Sequence, residues 1–171
     1  MEAAAAERKA NGVAGALEQY LTFMLDGEEY GVDILSVREI RGWDSATPVP
    51  NAPKHVKGVI NLRGTIVPLI DLRERFNLEP LDYGPMTVVI VLNVNTEKGE
   101  KTMGIVVDAV SDVYSISPDD MRDPPDLGDS VDTHYIKGLV NVQETMVILL
   151  EIDRFLNADR LPTSSDYAAE A

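Results

Sequence analysis

The side chains best suited to chemistry in this sequence are carboxylates. Residues 108–135 contain eight aspartates and a single arginine. Paired carboxylates serve as general acids and bases, and clustered carboxylates bind divalent cations. The aspartates between Asp119 and Asp132 do not follow the alternating ligand spacing of an EF-hand loop. The sequence therefore favours a solvated acidic loop, and a metal-dependent enzyme that uses this loop is the alternative hypothesis.

Further carboxylates lie at the ends of apolar runs. General acid–base catalysis by these groups would require a histidine or a pocket beside them. They are Asp33, Asp71, Asp108, Glu151 and Asp153. No histidine accompanies them: the two in the chain, His55 and His134, lie far apart and lack a second ligand at metal-site spacing. We interpret Asp71 and Glu151 as helix caps instead.

Other reactive groups are absent from the sequence. The 171 residues include no cysteine, which excludes disulfides, thiolate metal sites and a cysteine nucleophile. The glycine-rich phosphate-binding, zinc-protease and serine-nucleophile motifs do not occur either. The sequence predicts a protein that is not an enzyme and has no cofactor.

The charge of the chain limits its partners. The sequence contains 15 Lys and Arg and 29 Asp and Glu, which gives a formal net charge of -14. This charge repels nucleic acid and anionic lipid. No window reaches the roughly 18 apolar residues of a membrane span, so we expect a cytoplasmic protein without an inserted segment. Residues 38–76 are an exception, because they contain seven basic and four acidic side chains and so have a net positive charge. This basic island is suited to an acidic partner surface.

The elements that position these residues are mostly strands. Short runs rich in Val, Ile and Leu end at Gly, Pro, Asn or Asp, as strands do. Nine runs qualify: Gln19–Leu25, Glu29–Ile34, Val56–Leu62, Thr65–Ile70, Met86–Asn93, Lys101–Val107, Val110–Ile116, Ile136–Val142 and Met146–Ile152. Short helices are predicted after Asp71 and Ser117, and residues 34–40 fit either a helix or a bulged strand. Residues 1–16 and 162–171 are predicted tails of a domain spanning 17–161.

An internal repeat organises the strands into two units. Gly58–Phe76 aligns without gaps onto Gly138–Leu156, with five identities that include the glycine at the start. A second block, Tyr30 to Ile40, resembles Met103 to Val113. Two similar β-units are therefore expected. A sheet of about five strands removes its exposed edges by curling into a barrel.

Several segments closely resemble the CheW family of chemotaxis coupling proteins. They are EIRG at 39–42, NLRGTIVPLIDLR at 61–73, DGEEYGVDIL at 26–35, TVVIVL at 87–92 and GIVVDAVSDV at 104–113. The resemblance covers roughly residues 18–157. It implies an all-β fold of two intertwined, five-stranded, SH3-like barrels, in agreement with the two units of the repeat.

The resemblance also implies a function. Members of the family are non-catalytic scaffolds that couple the cytoplasmic tip of methyl-accepting chemoreceptors to the regulatory domain of the histidine kinase CheA and help to build receptor–kinase arrays. The protein is then recruited to arrays at the membrane. A CheW-like adaptor of a non-flagellar chemosensory pathway is a second possibility that the sequence does not separate from the first.

Eight positions are assigned to binding by the resemblance. Receptor binding falls on Glu39, Ile40, Arg63, Val88, Val89 and Gly138, and kinase binding falls on Val37 and Gly58. Arg63 precedes Gly64 in a predicted hairpin tip, so its guanidinium can project toward a receptor carboxylate or carbonyl.

Alternative roles stay open for several of these positions. For Arg63 they are an ion pair with Glu39 within the protein or a solvated surface charge. Val88 and Val89 are neighbours on a strand and point to opposite faces, so at most one of them contacts a partner. Gly58 and Gly138 occupy equivalent places in the repeat, which favours a backbone role in both units.

Overall fold

The computed structural model describes residues 16–125 and 134–158 and consists mainly of strands. Ten strands are present: β1 Glu18–Leu25, β2 Glu28–Asp33, β3 Val37–Gly42, β4 Val56–Leu62, β5 Thr65–Asp71, β6 Val88–Thr96, β7 Gly99–Val107, β8 Ala109–Ile116, β9 Ile136–Val142 and β10 Thr145–Leu150. Two short α-helices follow β5 and β10: α1 Leu72–Arg75 and α2 Ile152–Ala158. Single turns of 3-10 helix lie at Ile34–Ser36 and Pro118–Asp120. None of these helices is long and apolar enough to span a membrane.

The predicted strands are confirmed, with shifts at their ends. Residues 34–40, for which the sequence fits either a helix or a strand, contain both. A turn of 3-10 helix begins because the Asp33 carboxylate accepts a hydrogen bond from the Leu35 N–H at 2.9 Å, and β3 follows. The prediction of a strand from Met146 to Ile152 is wrong at its end, because Ile152 begins α2. The predicted tails lie outside the described residues, apart from Ala16.

The strands form two five-stranded sheets that each combine parts of both repeats. The first sheet has the order β8-β1-β2-β10-β9, and the second has the order β3-β6-β7-β5-β4. In the repeat, β1 to β5 correspond to β6 to β10. Each repeat therefore contributes its first two strands to one sheet and its last three to the other. This exchange confirms the predicted intertwining of the two units.

The exchange occurs at two parallel strand pairs, β2 with β10 and β5 with β7. At the first pair Gly31 faces Leu149, and at the second Gly104 faces Leu69. A Cβ added at Gly31 would lie 2.8 Å from Leu149 Cδ2, and one added at Gly104 would lie 2.5 Å from Leu69 Cδ2. Because real Cβ atoms do not approach so closely, the absence of a side chain at both positions lets the leucines fill the interior of the sheets.

Three apolar clusters hold the fold together. One belongs to the first sheet and is built around Tyr20, Val147 and Leu149. One belongs to the second sheet and is built around Val67 and Leu69. The third and largest cluster takes residues from both sheets and from both α-helices. The two sheets thus share one core, and burial of this apolar surface opposes their separation.

An ion-pair network also bridges the two sheets. The guanidinium of Arg73 on α1 donates two hydrogen bonds of 2.8 Å to the Asp108 carboxylate, which lies where the chain crosses from β7 to β8. Asp108 also accepts a hydrogen bond from the N–H of Asp26, in the turn between β1 and β2, at 2.9 Å. Burial alone would raise the pKa of Asp108, but the bonds from Arg73 and Asp26 hold this pKa below its ordinary value.

We predict that Asp108→Asn lowers the free energy of unfolding by about 1–3 kcal/mol at pH 7, because Arg73 loses the carboxylate that accepts two of its hydrogen bonds and keeps the weaker pair with Asp26 at 3.5 Å. An Asp whose pKa is lowered by folding stabilises the protein above its unfolded pKa, and this contribution disappears as the pH falls through the folded value. The difference between variant and parent should therefore shrink below about pH 4. Chemical denaturation at pH 7 and pH 3 measures it, with the exposed Asp44→Asn as control. Equal stability of parent and Asp108→Asn at pH 7 would contradict the prediction.

Candidate functional site

Seven of the eight predicted binding positions lie on the second sheet. Val37, Glu39 and Ile40 are on β3, Gly58 is on β4, Arg63 is in the turn between β4 and β5, and Val88 and Val89 are on β6. Gly138 lies on β9 of the first sheet. The structure therefore brings most of these positions together and separates Gly138 from the others.

Arg63 occupies the tip of a tight two-residue turn, as predicted. Its φ of 50° and the φ of 89° at Gly64 are both positive, which is the backbone that a two-residue hairpin needs to match strand twist. The Asn61 carboxamide stabilises the turn by accepting a hydrogen bond from the Gly64 N–H at 2.8 Å. The Arg63 side chain is 67% exposed. It can therefore be reached by a partner.

The Arg63 guanidinium forms an ion pair with the Glu39 carboxylate. This is the internal pairing that the sequence left open. Because β3 and β4 stand at opposite ends of the sheet order, the pair joins the two end strands. A backbone bridge between Thr47 and Val59 joins the same regions. These contacts are those expected of a sheet that curls toward a barrel.

Ile40 is an exposed apolar residue of β3 and lies between two charged neighbours. It pairs with the buried Ile90 on β6 and shares that face of the sheet. Even so, 44% of Ile40 is exposed, while Glu39 is half-buried and Arg41 is exposed. Because successive residues of a strand point to opposite faces, Ile40 lies on the other face of β3 from Glu39 and Arg41. The Arg63 surface, defined as Glu39, Arg41 and Arg63, thus presents two cations beside one carboxylate. It is suited to an acidic partner.

Val88 and Val89 point to opposite faces of β6, as predicted. Val89 is 3% exposed and packs in the cluster of the second sheet, whereas Val88 is half-buried against the core that the two sheets share. Val37 also packs partly against the shared core. A substitution at Val89 would therefore act through the interior of the second sheet.

Both glycines support the backbone, but to different degrees. Gly58 has φ of 144°, and a Cβ added there would lie 2.3 Å from the carbonyl oxygen of Thr47. A Cβ added at Gly138 would lie 3.1 Å from Met121 Sδ and 3.4 Å from the Arg122 carbonyl oxygen. The first contact is with rigid backbone, and the nearest atom in the second belongs to a flexible side chain.

The acidic loop supplies no metal site within the described residues. In the ranges 16–125 and 134–158, no group of three or more Asp, Glu and His side chains is placed to hold a metal ion. Residues 126–132 of the predicted loop fall outside these ranges.

The most exposed of the large apolar side chains in the described residues was not predicted from the sequence. Leu35, on the 3-10 helix before β3, is 87% exposed. Asp33 caps this helix, and Leu35 is its second residue. This position could have indicated exposure, because a side chain in a helix of a single turn has few neighbours to pack against.

Comparison with known proteins shows the same fold and much shared sequence. Residues 19–160 match the family model described as CheW-like domain. Chemotaxis protein CheW of Klebsiella aerogenes is 45% identical over 144 residues, which cover 84% of each chain. Chemotaxis protein CheW of Rhizobium meliloti is 36% identical over 135 residues, covering 79% of this chain and 84% of the relative. The crystal structure of the scaffolding protein TtCheW from Thermoanaerobacter tengcongensis matches with a TM-score of 0.73 and 29% identity, covering 81% of this chain and 92% of that one.

We predict unequal costs for the same substitution at the two equivalent glycines. Gly58→Ala should lower the free energy of unfolding by roughly 2–4 kcal/mol, because the backbone is strained at this φ and the new Cβ meets a carbonyl. Gly138→Ala should cost about 1 kcal/mol, since Met121 can move. Chemical denaturation of both variants measures the difference. Equal costs would show that the backbone approach at Gly58 is not what requires glycine.

Proposed function

Because the chain belongs to the CheW-like family, we propose that it is a chemotaxis scaffold without catalytic activity, which couples chemoreceptors to the histidine kinase CheA. It binds the cytoplasmic tip of the receptor and the regulatory domain of the kinase, and it is thereby recruited to arrays of both. Family membership over residues 19–160 is the observation that carries this proposal.

The Arg63 surface is the proposed centre of the receptor contact. A receptor carboxylate that reaches Arg63 would compete with Glu39 for the guanidinium. An apolar receptor side chain would cover Ile40, which is exposed on the other face of the same strand. Exchange of one carboxylate partner for another leaves no cation unpaired. Val88 contributes to the same contact by pairing with Gly42 at the end of β3. Val89, Gly58 and Gly138 influence binding by keeping the strands in place.

A scaffold needs two docking regions that keep a fixed relation to each other. Coupling requires the two signalling states of the receptor to contact the scaffold, or the kinase through it, differently. The shared core and the network of Arg73 and Asp108 tie the two sheets together. A conformational change that partner binding causes at one sheet is then transmitted to the other through this rigid packing.

We predict that Arg63→Ala weakens receptor binding and lowers receptor-dependent kinase activity by about tenfold, because a charge-assisted contact is lost. The fold should be spared, since an exposed ion pair contributes about 0–1 kcal/mol to stability. The measurement is CheA autophosphorylation in a mixture of receptor, kinase and scaffold. Gln143→Ala is the matched control, because Gln143 occupies the equivalent turn of the other repeat with φ of 51°.

Three results would contradict this account. Kinase activity that is the same with and without the wild-type protein would refute the coupling function. A large drop in the melting temperature of Arg63→Ala would instead assign Arg63 to the structure of the second sheet. If Arg63→Ala and Gln143→Ala lower kinase activity equally, the receptor contact is not centred on the Arg63 surface.

A further inference from the structure

The segment that connects α1 to β6 lies against the second sheet at the end of β3. Residues 76–87 form this connecting segment, and its last residue, Thr87, is buried. The Thr87 N–H donates to the Gly84 carbonyl at 3.1 Å, and the Thr87 hydroxyl accepts from the Gly84 N–H at 2.9 Å. The Thr87 carbonyl accepts a hydrogen bond of 3.0 Å from the N–H of Trp43, the residue that follows β3. The connecting segment thus continues the pairing of β3 with β6 beyond Gly42 and Val88, the last pair of the two strands.

Trp43 lies on the same face of the chain as Glu39 and Arg41. Side chains two residues apart along a strand point to the same side. Arg41 pairs with Val89, and Glu39 pairs with Val91. Both valines belong to the apolar cluster of the second sheet, against which Trp43 also packs. The Arg63 surface is therefore continued by Trp43 toward the connecting segment.

The ring of Tyr83, in the connecting segment, supports Trp43. The two ring centroids are 4.5 Å apart and the ring planes make an angle of 64°, which is the favoured edge-to-face arrangement. Both side chains are half-buried and pack against the cluster of the second sheet. A displacement of the Tyr83 ring would therefore allow Trp43 and the adjoining end of β3 to move.

Asp71 fixes the position of Tyr83. The Tyr83 hydroxyl donates a hydrogen bond to the Asp71 carboxylate, which is buried and also caps α1 by accepting from the Glu74 N–H at 3.3 Å. Burial raises the pKa of Tyr83, and the bond to Asp71 raises it further, so that the hydroxyl remains a donor at neutral pH. A buried carboxylate that loses a donor is costly. The hydroxyl, as well as the ring, therefore determines where Tyr83 lies.

The beginning of the connecting segment is held separately, by Arg73. The Arg73 guanidinium donates to the Glu79 carbonyl at 2.8 Å, and the Arg73 carbonyl accepts from the Leu78 N–H at 2.8 Å. These bonds do not involve Tyr83. The bond between Tyr83 and Asp71 is therefore the one that fixes the middle of the segment beneath Trp43.

We propose that Tyr83 is a positioning residue for receptor binding, which acts through Trp43 to hold Arg41 where a receptor carboxylate can reach it. This inference rests on the proposed function, in which the Arg63 surface binds the receptor. Arg41 lies two residues before Trp43, whereas Val37, of the proposed kinase contact, begins β3 at its other end. The position of Tyr83 should therefore affect receptor binding and leave kinase binding unchanged.

The test compares the full-length chain with its Tyr83→Phe variant, which keeps the ring and removes the hydroxyl. Binding is measured separately to a purified fragment that contains the cytoplasmic tip of a chemoreceptor and to the regulatory domain of CheA. We expect Tyr83→Phe to weaken receptor binding by about fivefold, within the usual coupling between contacting residues, and to bind the kinase domain as the wild type does. Tyr30→Phe is the matched control, since Tyr30 stacks on Phe23 and Phe76 in the shared core, and it should change neither affinity.

A double-mutant cycle examines whether Tyr83 acts through Arg41. Arg41→Ala should weaken receptor binding by about tenfold in the wild-type chain and by clearly less in Tyr83→Phe, where Arg41 is no longer held in place. Asp71→Asn keeps an oxygen that accepts from the Tyr83 hydroxyl and keeps a good cap for α1, so it should retain receptor binding.

Trp43 is the only tryptophan of the chain, so its fluorescence reports the same packing without a partner. Its emission should move to longer wavelength in Tyr83→Phe and stay unchanged in Asp71→Asn. The same emission in Tyr83→Phe and wild type would contradict the support of Trp43 by Tyr83.

The binding results separate this proposal from the proposed function. Wild-type receptor affinity in Tyr83→Phe would overturn the positioning role and leave the function intact. Equal losses from Arg41→Ala in both backgrounds would show that Tyr83 does not act through Arg41. Loss of receptor and kinase binding together in Tyr83→Phe would assign Tyr83 to the stability of the fold. If the wild-type chain does not bind the receptor fragment, the proposed function fails and the positioning role fails with it.

Discussion

The two parallel strand pairs, β2 with β10 and β5 with β7, are the constraint on which the rest of the structure depends. At each pair a glycine leaves room for a leucine from the other repeat, Gly31 for Leu149 and Gly104 for Leu69. A larger residue at either position would displace the leucine that packs between the paired strands. Because of the exchange, neither repeat forms a complete sheet alone, and the largest apolar cluster belongs to both sheets. The two units should therefore fold and move as one body.

The exchange also separates charge within the molecule. The first sheet collects β1, β2 and the strands from β8 onward, where acidic residues predominate, while the second sheet receives the basic residues between 38 and 76. A chain with a large net negative charge thereby keeps a cationic surface around Arg63. The two sheets therefore attract charged groups of opposite sign.

Much of the fold could be predicted from the sequence, because strand length, turn residues and the repeat are local signals. The hairpin turn at Arg63 and Gly64 followed from the glycine, and the cap at Asp71 followed from its position before α1. The exchange of strands could be predicted only from the family resemblance, since two sequence repeats are equally compatible with two separate sheets. The Glu39–Arg63 pair depends on which distant segments meet. Spacing along the chain does not determine such contacts.

Native-state hydrogen exchange tests the central claim that the two sheets form one cooperative unit. The account predicts that the slowest amides of β2 and β10 in the first sheet and of β5 and β7 in the second open with the same free energy, equal to that of global unfolding. A denaturant series should change all four strands together. If one sheet opens at a clearly lower free energy while the other stays protected, the sheets are independent, and rigid transmission between them is excluded.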